Sequence, residues 1–136
     1  MLNKPRGYVC TNADPHAPRK AVDLIRLDPP VRLFSAGRLD KESEGMILFS
    51  NDGDYVARLT HPRYEIRKTY LVRVTREFTE PELTRIRTGI TDGGEHLRVI
   101  SIAPAGNCLY RIVLNEGKKR EIRRLTAAVG APTLEL

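Results

Sequence analysis

The chain has 136 residues, 40% of them hydrophobic, and a formal net charge of +6. That length suits a single domain with a real core, and the basic balance favours a polyanionic partner, with nucleic acid the first candidate. Cys10 and Cys108 stand far apart with no CxxC, so no disulfide framework or metal site follows from them, and no signal peptide or membrane-length apolar run is found.

"NKPRG" reads as a turn, and "YVCT", Tyr8 to Thr11, as a short strand after it. Residues 12–20, "NADPHAPRK", hold two prolines and little apolar content, so an exposed and mobile loop is expected. "AVDLI" reads as a short helix stopped by "DPP". "MILFS" is expected to be a buried strand closed by the turn "NDGD". "DYVARLTHP" then fits a short helix capped by Asp52 or Asp54, with Pro62 just beyond its end and His61 placed to interact with its C-terminus.

"TYLVRVT", Thr69 to Thr75, alternates in character and is rich in β-branched residues, which predicts a strand. "TEPELTRIRTG" predicts a helix with Thr79 as N-cap, Glu82 as its capping-box partner and Gly89 as its stop. "LRVISIA" and "LYRIVLN" predict two more strands, and "GKKREIRRLTAAVG" a last helix from near Lys119 to Gly130. "PTLEL" looks like the start of another strand, so the domain is expected to be cut short there. Strands outnumber helices without regular βαβ alternation. The fold class expected is therefore α+β, with a mixed, mostly antiparallel sheet and flanking helices.

Turning the last helix through 100° per residue puts Arg120, Arg123 and Arg124 within an arc of roughly 100°, with Ile122, Leu125 and Val129 opposite. Three arginines at a helix N-terminus oppose the helix dipole, and Lys118 and Lys119 add to that opposition. Stability alone would not select this pattern. A bound anion relieves it, whether a phosphate backbone, a carboxylate of the same protein, or both. A solvated basic face is the structural alternative.

In "GRLDKESEGMILFSNDGD", Gly37 to Asp54, the acid Asp40 lies between Arg38 and Lys41, just ahead of an apolar run. A turn or cap residue is the bland explanation for such an acid. If the segment is extended, Arg38 and Asp40 point to one side while Leu39 points inward.

Together, "LNKPRGYVCT", "GRLDKESEGMILFSNDGD", "RLTHPRYEIRKTYLVRV" and "NEGKKREIRRLTAAVG" resemble the catalytic domain of the bacterial RsuA/RluB-type ribosomal RNA pseudouridine synthases, in order and in spacing. The resemblance covers nearly the whole chain. It implies the pseudouridine synthase fold with a central catalytic cleft, and isomerisation of a uridine already in RNA without cofactor or metal. Asp40 corresponds to the family's catalytic aspartate and Tyr70 of "KTY" to its active-site tyrosine. Arg123 corresponds to the basic residue that pairs with the aspartate, and Leu125 to an apolar residue lining the pocket. Family members usually carry an RNA-binding domain ahead of the "LNKP" strand and a further strand and helix after the position of "PTLEL". They commonly have Gln where this chain has Glu121. The chain is thus expected to be the catalytic domain alone, residues 1–136, without the N-terminal domain and without the end of its own fold.

The implied reaction breaks the bond from ribose C1′ to uracil N1, rotates the base and rejoins it through C5, which then loses a proton. An aspartate serves either by attacking C1′ or a ring carbon, or by removing a ribose proton to give a glycal. Both routes stay open, and both need a carboxylate kept ionised and aimed by a cation. The Tyr70 ring offers a stacking face for a flipped-out uracil, and its hydroxyl a group to help remove the C5 proton. Arg38 is the secondary cation, for phosphate or a structural ion pair. Expected phosphate contacts are Lys4, Arg6, Arg19, Lys20, Lys41, Arg67, Lys68, Lys118 and Lys119, with Arg120 and Arg124 on the helix face.

His16, His61 and His96 share no metal-ligand spacing. The expected partner is ribosomal RNA or a pre-ribosomal particle, met by a monomer in the cytoplasm with no membrane involved. The "LNKPRGYVCT" opening points toward large-subunit types. The competing reading is a non-catalytic RNA-binding module of the same fold. A hydrolase using Asp40 with Glu42 or Glu44 is weaker, because no spacing supports paired carboxylates.

Overall fold

The computed structural model describes residues 1–11, 14 and 16–136. The chain divides into two compact units, Met1–Tyr64 and Glu65–Leu136.

In the first unit, β1 (Leu2–Lys4), β2 (Phe34–Ala36) and β3 (Gly45–Ser50) form an antiparallel sheet in the order β1-β3-β2. Register pairs Leu2 with Ile47 and Ala36 with Leu48. Ile47 on the central strand joins Cys10 and Ala21 in a small core, with Leu2, Tyr8, Leu39 and Phe49 packed round it. The expected strand at "MILFS" is present, extended to Gly45, but it is not buried throughout: Ile47 is buried while Met46 is exposed. "YVCT" is not a strand. Val9 makes an isolated parallel bridge to Lys20, its N–H donating to the Arg19 carbonyl at 2.9 Å and its carbonyl accepting from the Ala21 N–H at 2.9 Å. "AVDLI" winds as a 3-10 turn over Ala21–Leu24. The loop expected at residues 12–20 falls partly outside the described residues; within it, Asp14, His16 and Arg19 are exposed.

Helix α1 (Gly53–Thr60) takes Asp52 as its N-cap, where the carboxylate accepts from the N–H groups of Asp54 at 3.0 Å and Tyr55 at 3.1 Å. This settles the choice between Asp52 and Asp54. His61 closes the helix, its N–H donating to the Ala57 carbonyl at 2.8 Å.

The second unit is built on β4 (Lys68–Val74), helix α2 (Glu80–Thr88) and a short hairpin of β5 (Ile90–Asp92) and β6 (Glu95–Leu97). Then follow β7 (Ser101–Gly106), β8 (Leu109–Leu114), helix α3 (Glu121–Ala128) and β9 (Thr133–Glu135). The main sheet runs β7-β8-β4-β9, antiparallel at every pairing. The α+β class and the dominance of antiparallel pairing agree with the sequence reading, with the strands of the described residues shared among three sheets.

The α2 capping box forms as expected: the Thr79 N–H donates to Glu82 at 2.8 Å, and the Glu82 N–H to the Thr79 hydroxyl at 3.4 Å. Ile86 of α2 and Leu125 of α3 are completely buried in the core with Val72, Leu97 and Ile112. Burial of such a side chain contributes about 1.5–3 kcal/mol. The buried Tyr110 hydroxyl donates to Glu77 and accepts from the Phe78 N–H at 2.9 Å. That bond holds the Glu77 carboxyl below its ordinary value, while burial first and Glu77 second push the phenol up.

"LRVISIA" is not one strand. Its apolar alternation is shared between two partners, β5 up to Leu97 and β8 from Ser101. The chain crosses between them at residues 98–100. The last helix begins at Glu121, because Arg120 turns left-handed at φ 53° and stands as N-cap.

Candidate active site

Asp40 sits in the loop between β2 and β3 of the first unit. Two glycines shape this loop: Gly37 turns the chain out of β2 at φ +89°, and Gly7 lies opposite at φ +90°. Both values favour glycine. The Gly7 N–H donates to the Lys41 carbonyl at 2.7 Å, and the Ser43 N–H to the Asp40 carbonyl at 3.0 Å. The Leu39 N–H reaches the Cys10 sulfur at 3.5 Å. Leu39 packs on the small core while Arg38 is exposed and Asp40 half-buried, as an extended "GRLD" requires.

Lys4 corrects an expectation. The basic sequence around it suggests a phosphate contact, yet Lys4 is 0% exposed. Its ammonium donates to the carbonyls of Pro5 and Tyr8, each at 2.9 Å, and approaches that of Lys41 at 3.5 Å. Burial pushes its pKa down, while the charges of Cys10, Asp40, Glu42 and Glu44 pull it up. The side chain ties the first turn of the chain to the segment carrying Asp40 and presents nothing to a polyanion. Arg6 and Lys41 are exposed, and Arg6 lies 3.8 Å from Glu44.

In the second unit, Tyr70 is a half-buried β4 residue packed against the edge of the core, in register with Ile112. Leu125 is 0% exposed within that core, which leaves no surface of it open to a base in this conformation. On α3 the apolar face is as expected, with Ile122, Leu125 and Val129 buried.

The arginine face divides. Arg124 is held by the β5–β6 hairpin: it donates to the Asp92 carboxylate at 2.6 Å, the Asp92 carbonyl at 2.7 Å and the Glu95 carboxylate at 3.0 Å. For this residue the relieving anion is a carboxylate of the same protein, contrary to its place among the substrate contacts. Lys118 is likewise engaged, donating to the His96 carbonyl and to Glu116, each at 2.7 Å. Arg120 is exposed and Arg123 half-buried.

Glu121, at the position where glutamine is common among the resembled enzymes, is buried at 3% exposure and accepts from the Lys118 N–H at 3.0 Å. Burial raises its pKa, against the opposing pull of the Lys118 N–H and charge. No cluster of His, Cys, Asp and Glu among the described residues is arranged to hold a metal ion. No helix among them is long and apolar enough to cross a membrane.

Known proteins resemble the chain over most of its length. A protein described as ribosomal large subunit pseudouridine synthase B, from Pseudomonas aeruginosa, is 39% identical over 135 residues, covering 96% of this chain and 35% of the relative. An uncharacterized RNA pseudouridine synthase of Borreliella burgdorferi is 36% identical over 124 residues, covering 91% of this chain and 50% of its own. A crystal structure of a pseudouridylate synthase superposes with a TM-score of 0.88 at 29% identity, over 98% of this chain and 58% of that one. The chain thus spans about half the length, or less, of these curated relatives. The RNA pseudouridylate synthase family model matches residues 1–128, and the chain belongs to that family.

Proposed function

We propose that this chain carries the catalytic machinery that isomerises a uridine of ribosomal RNA to pseudouridine. The observation that carries the reading is the family match across residues 1–128, which includes the "GRLD" loop, "KTY" and the "GKKREIRR" segment. Relatives named for the large ribosomal subunit, from Pseudomonas aeruginosa and Vibrio cholerae, support ribosomal RNA as the substrate.

In this reading Asp40 is the reacting carboxylate, either as nucleophile or as the base that takes a ribose proton. Arg123 supplies its counter-charge, and Tyr70 stacks on the extruded uracil. The hydrogen bonds onto the 40–43 backbone support the assignment, since a reacting group held in one geometry has its orientation cost met before substrate arrives.

Asp40→Asn is expected to cut pseudouridine formation in ribosomal RNA transcripts by at least about a hundredfold while RNA binding persists. Arg123→Ala is expected to lower turnover sharply as well. Product mapping by carbodiimide adduct and primer extension reads both. Unchanged product from Asp40→Asn would refute the role given to Asp40. A wild-type chain that binds RNA without turnover would favour the binding-module alternative.

A further inference from the structure

A groove of about 260 Å³ opens in the second unit and is lined by Arg87, Thr88, Arg98, Val99, Ile100 and Asn115. It lies where α2 ends, where the chain crosses from β6 to β7, and where β8 gives way to the following turn. No carboxylate lines it. Three other arginines of the same unit are matched by acids: Arg73 by Glu135 at 3.1 Å, Arg76 by Glu82 at 2.8 Å and Arg124 by Asp92 at 2.6 Å.

The two groove arginines differ. Arg87 makes one long contact, 3.5 Å to the Ile102 carbonyl. Among the described residues, the Arg98 guanidinium and the Asn115 amide have no hydrogen-bond or ion-pair partner. The C-terminal carbonyls of α2 favour a cation beside them, which accounts for Arg87. They do not account for Arg98 and Asn115 sharing the same groove. Thr88 turns its hydroxyl back onto the Thr84 carbonyl at 2.9 Å and lends only an acceptor.

We propose that this groove binds a backbone phosphodiester of the RNA substrate. Two guanidinium forks and an amide are donors suited to phosphate oxygens. Ile100, 41% exposed, offers an apolar ledge to the attached ribose. The contact is to backbone and so holds the strand without reading its bases. The proposal rests on the functional reading above and adds a site that "GRLD", "KTY" and "GKKREIRR" do not include.

The test is binding of a fluorescein-labelled oligouridine strand to the full chain across a salt series, beside pseudouridine formation on ribosomal RNA transcripts. Replacing Arg87→Gln together with Arg98→Gln is expected to reduce the slope of log K against log salt by about 0.7, the value for one lost single-strand phosphate contact. The charge-matched pair Arg85→Gln and Arg111→Gln, also exposed but outside the groove, is expected to change the slope by less than about half of that. Asn115→Asp, which puts a negative charge into the groove, is expected to weaken binding with the arginines intact.

An active wild-type chain whose groove variant keeps the full slope overturns the proposal and leaves the functional reading standing. An equal change from the control pair overturns it too, since general charge then explains the loss. A wild-type chain that neither binds RNA nor forms pseudouridine removes the functional reading, and the groove assignment with it.

Discussion

Lys4 shows how far a residue's type can mislead about its task. In a chain of charge +6, a lysine beside Pro5 and Arg6 invites assignment to a phosphate. Its ammonium instead satisfies carbonyls, one of them 37 residues away. Lys4→Met should therefore destabilise the protein by about 1–3 kcal/mol, the cost of leaving part-buried carbonyls without their donor. It should also slow turnover through the displaced Asp40 loop. Urea denaturation and initial-rate measurements read the two effects. A variant as stable as wild type would show that the carbonyls find other donors. Lys4→Arg should not rescue, because a planar fork cannot replace a compact ammonium in a closed site. The role proposed for Asp40, by contrast, starts from its near neighbours, since "GRLD" and the "SEG" and "NDGD" that follow form one local pattern.

At the scale of elements, α2 was legible because its signals are local: cap, capping-box partner and stop lie within eleven residues of one another. Helix α3 was legible in its apolar face and less so in its start, because the left-handed turn at Arg120 carries no glycine to announce it. The β5–β6 hairpin escaped the sequence reading, although Gly93 and Gly94 at φ +56° and +79° mark its turn; its strands are three residues each, too short for alternation to register. That hairpin is what takes up Arg124.

Glu121 supplies the pH prediction for α3. Its carboxyl pKa is raised in the folded chain, so folding favours its protonated form. Stability from this group is present below the ordinary glutamate value of 4.5 and is lost as pH rises through the higher folded value. Glu121→Gln should remove that dependence and raise the melting temperature at pH 7. Thermal melts of both proteins at pH 4.5 and pH 7 test it. A variant less stable than wild type at neutral pH would mean that the Lys118 interaction outweighs the cost of burial.

For the whole molecule, net charge predicts salt-sensitive RNA binding: affinity for oligouridine should fall at least about tenfold between 50 and 200 mM salt, read by fluorescence anisotropy. Flat salt dependence would remove the polyanion reading. Net charge does not say which cations do the work. Sequence alone determined the antiparallel α+β class, the main helices and the order of motifs that places the chain in its family, because periodicity, caps and motif spacing act between near neighbours. Tertiary structure decided which basic groups remain available. Lys4 is turned inward, and Arg124 and Lys118 are bound within their own unit, while Arg87 and Arg98 line a groove without a carboxylate. Whether a side chain meets water, a carbonyl or a carboxylate depends on segments distant in sequence, and only folding brings those segments together.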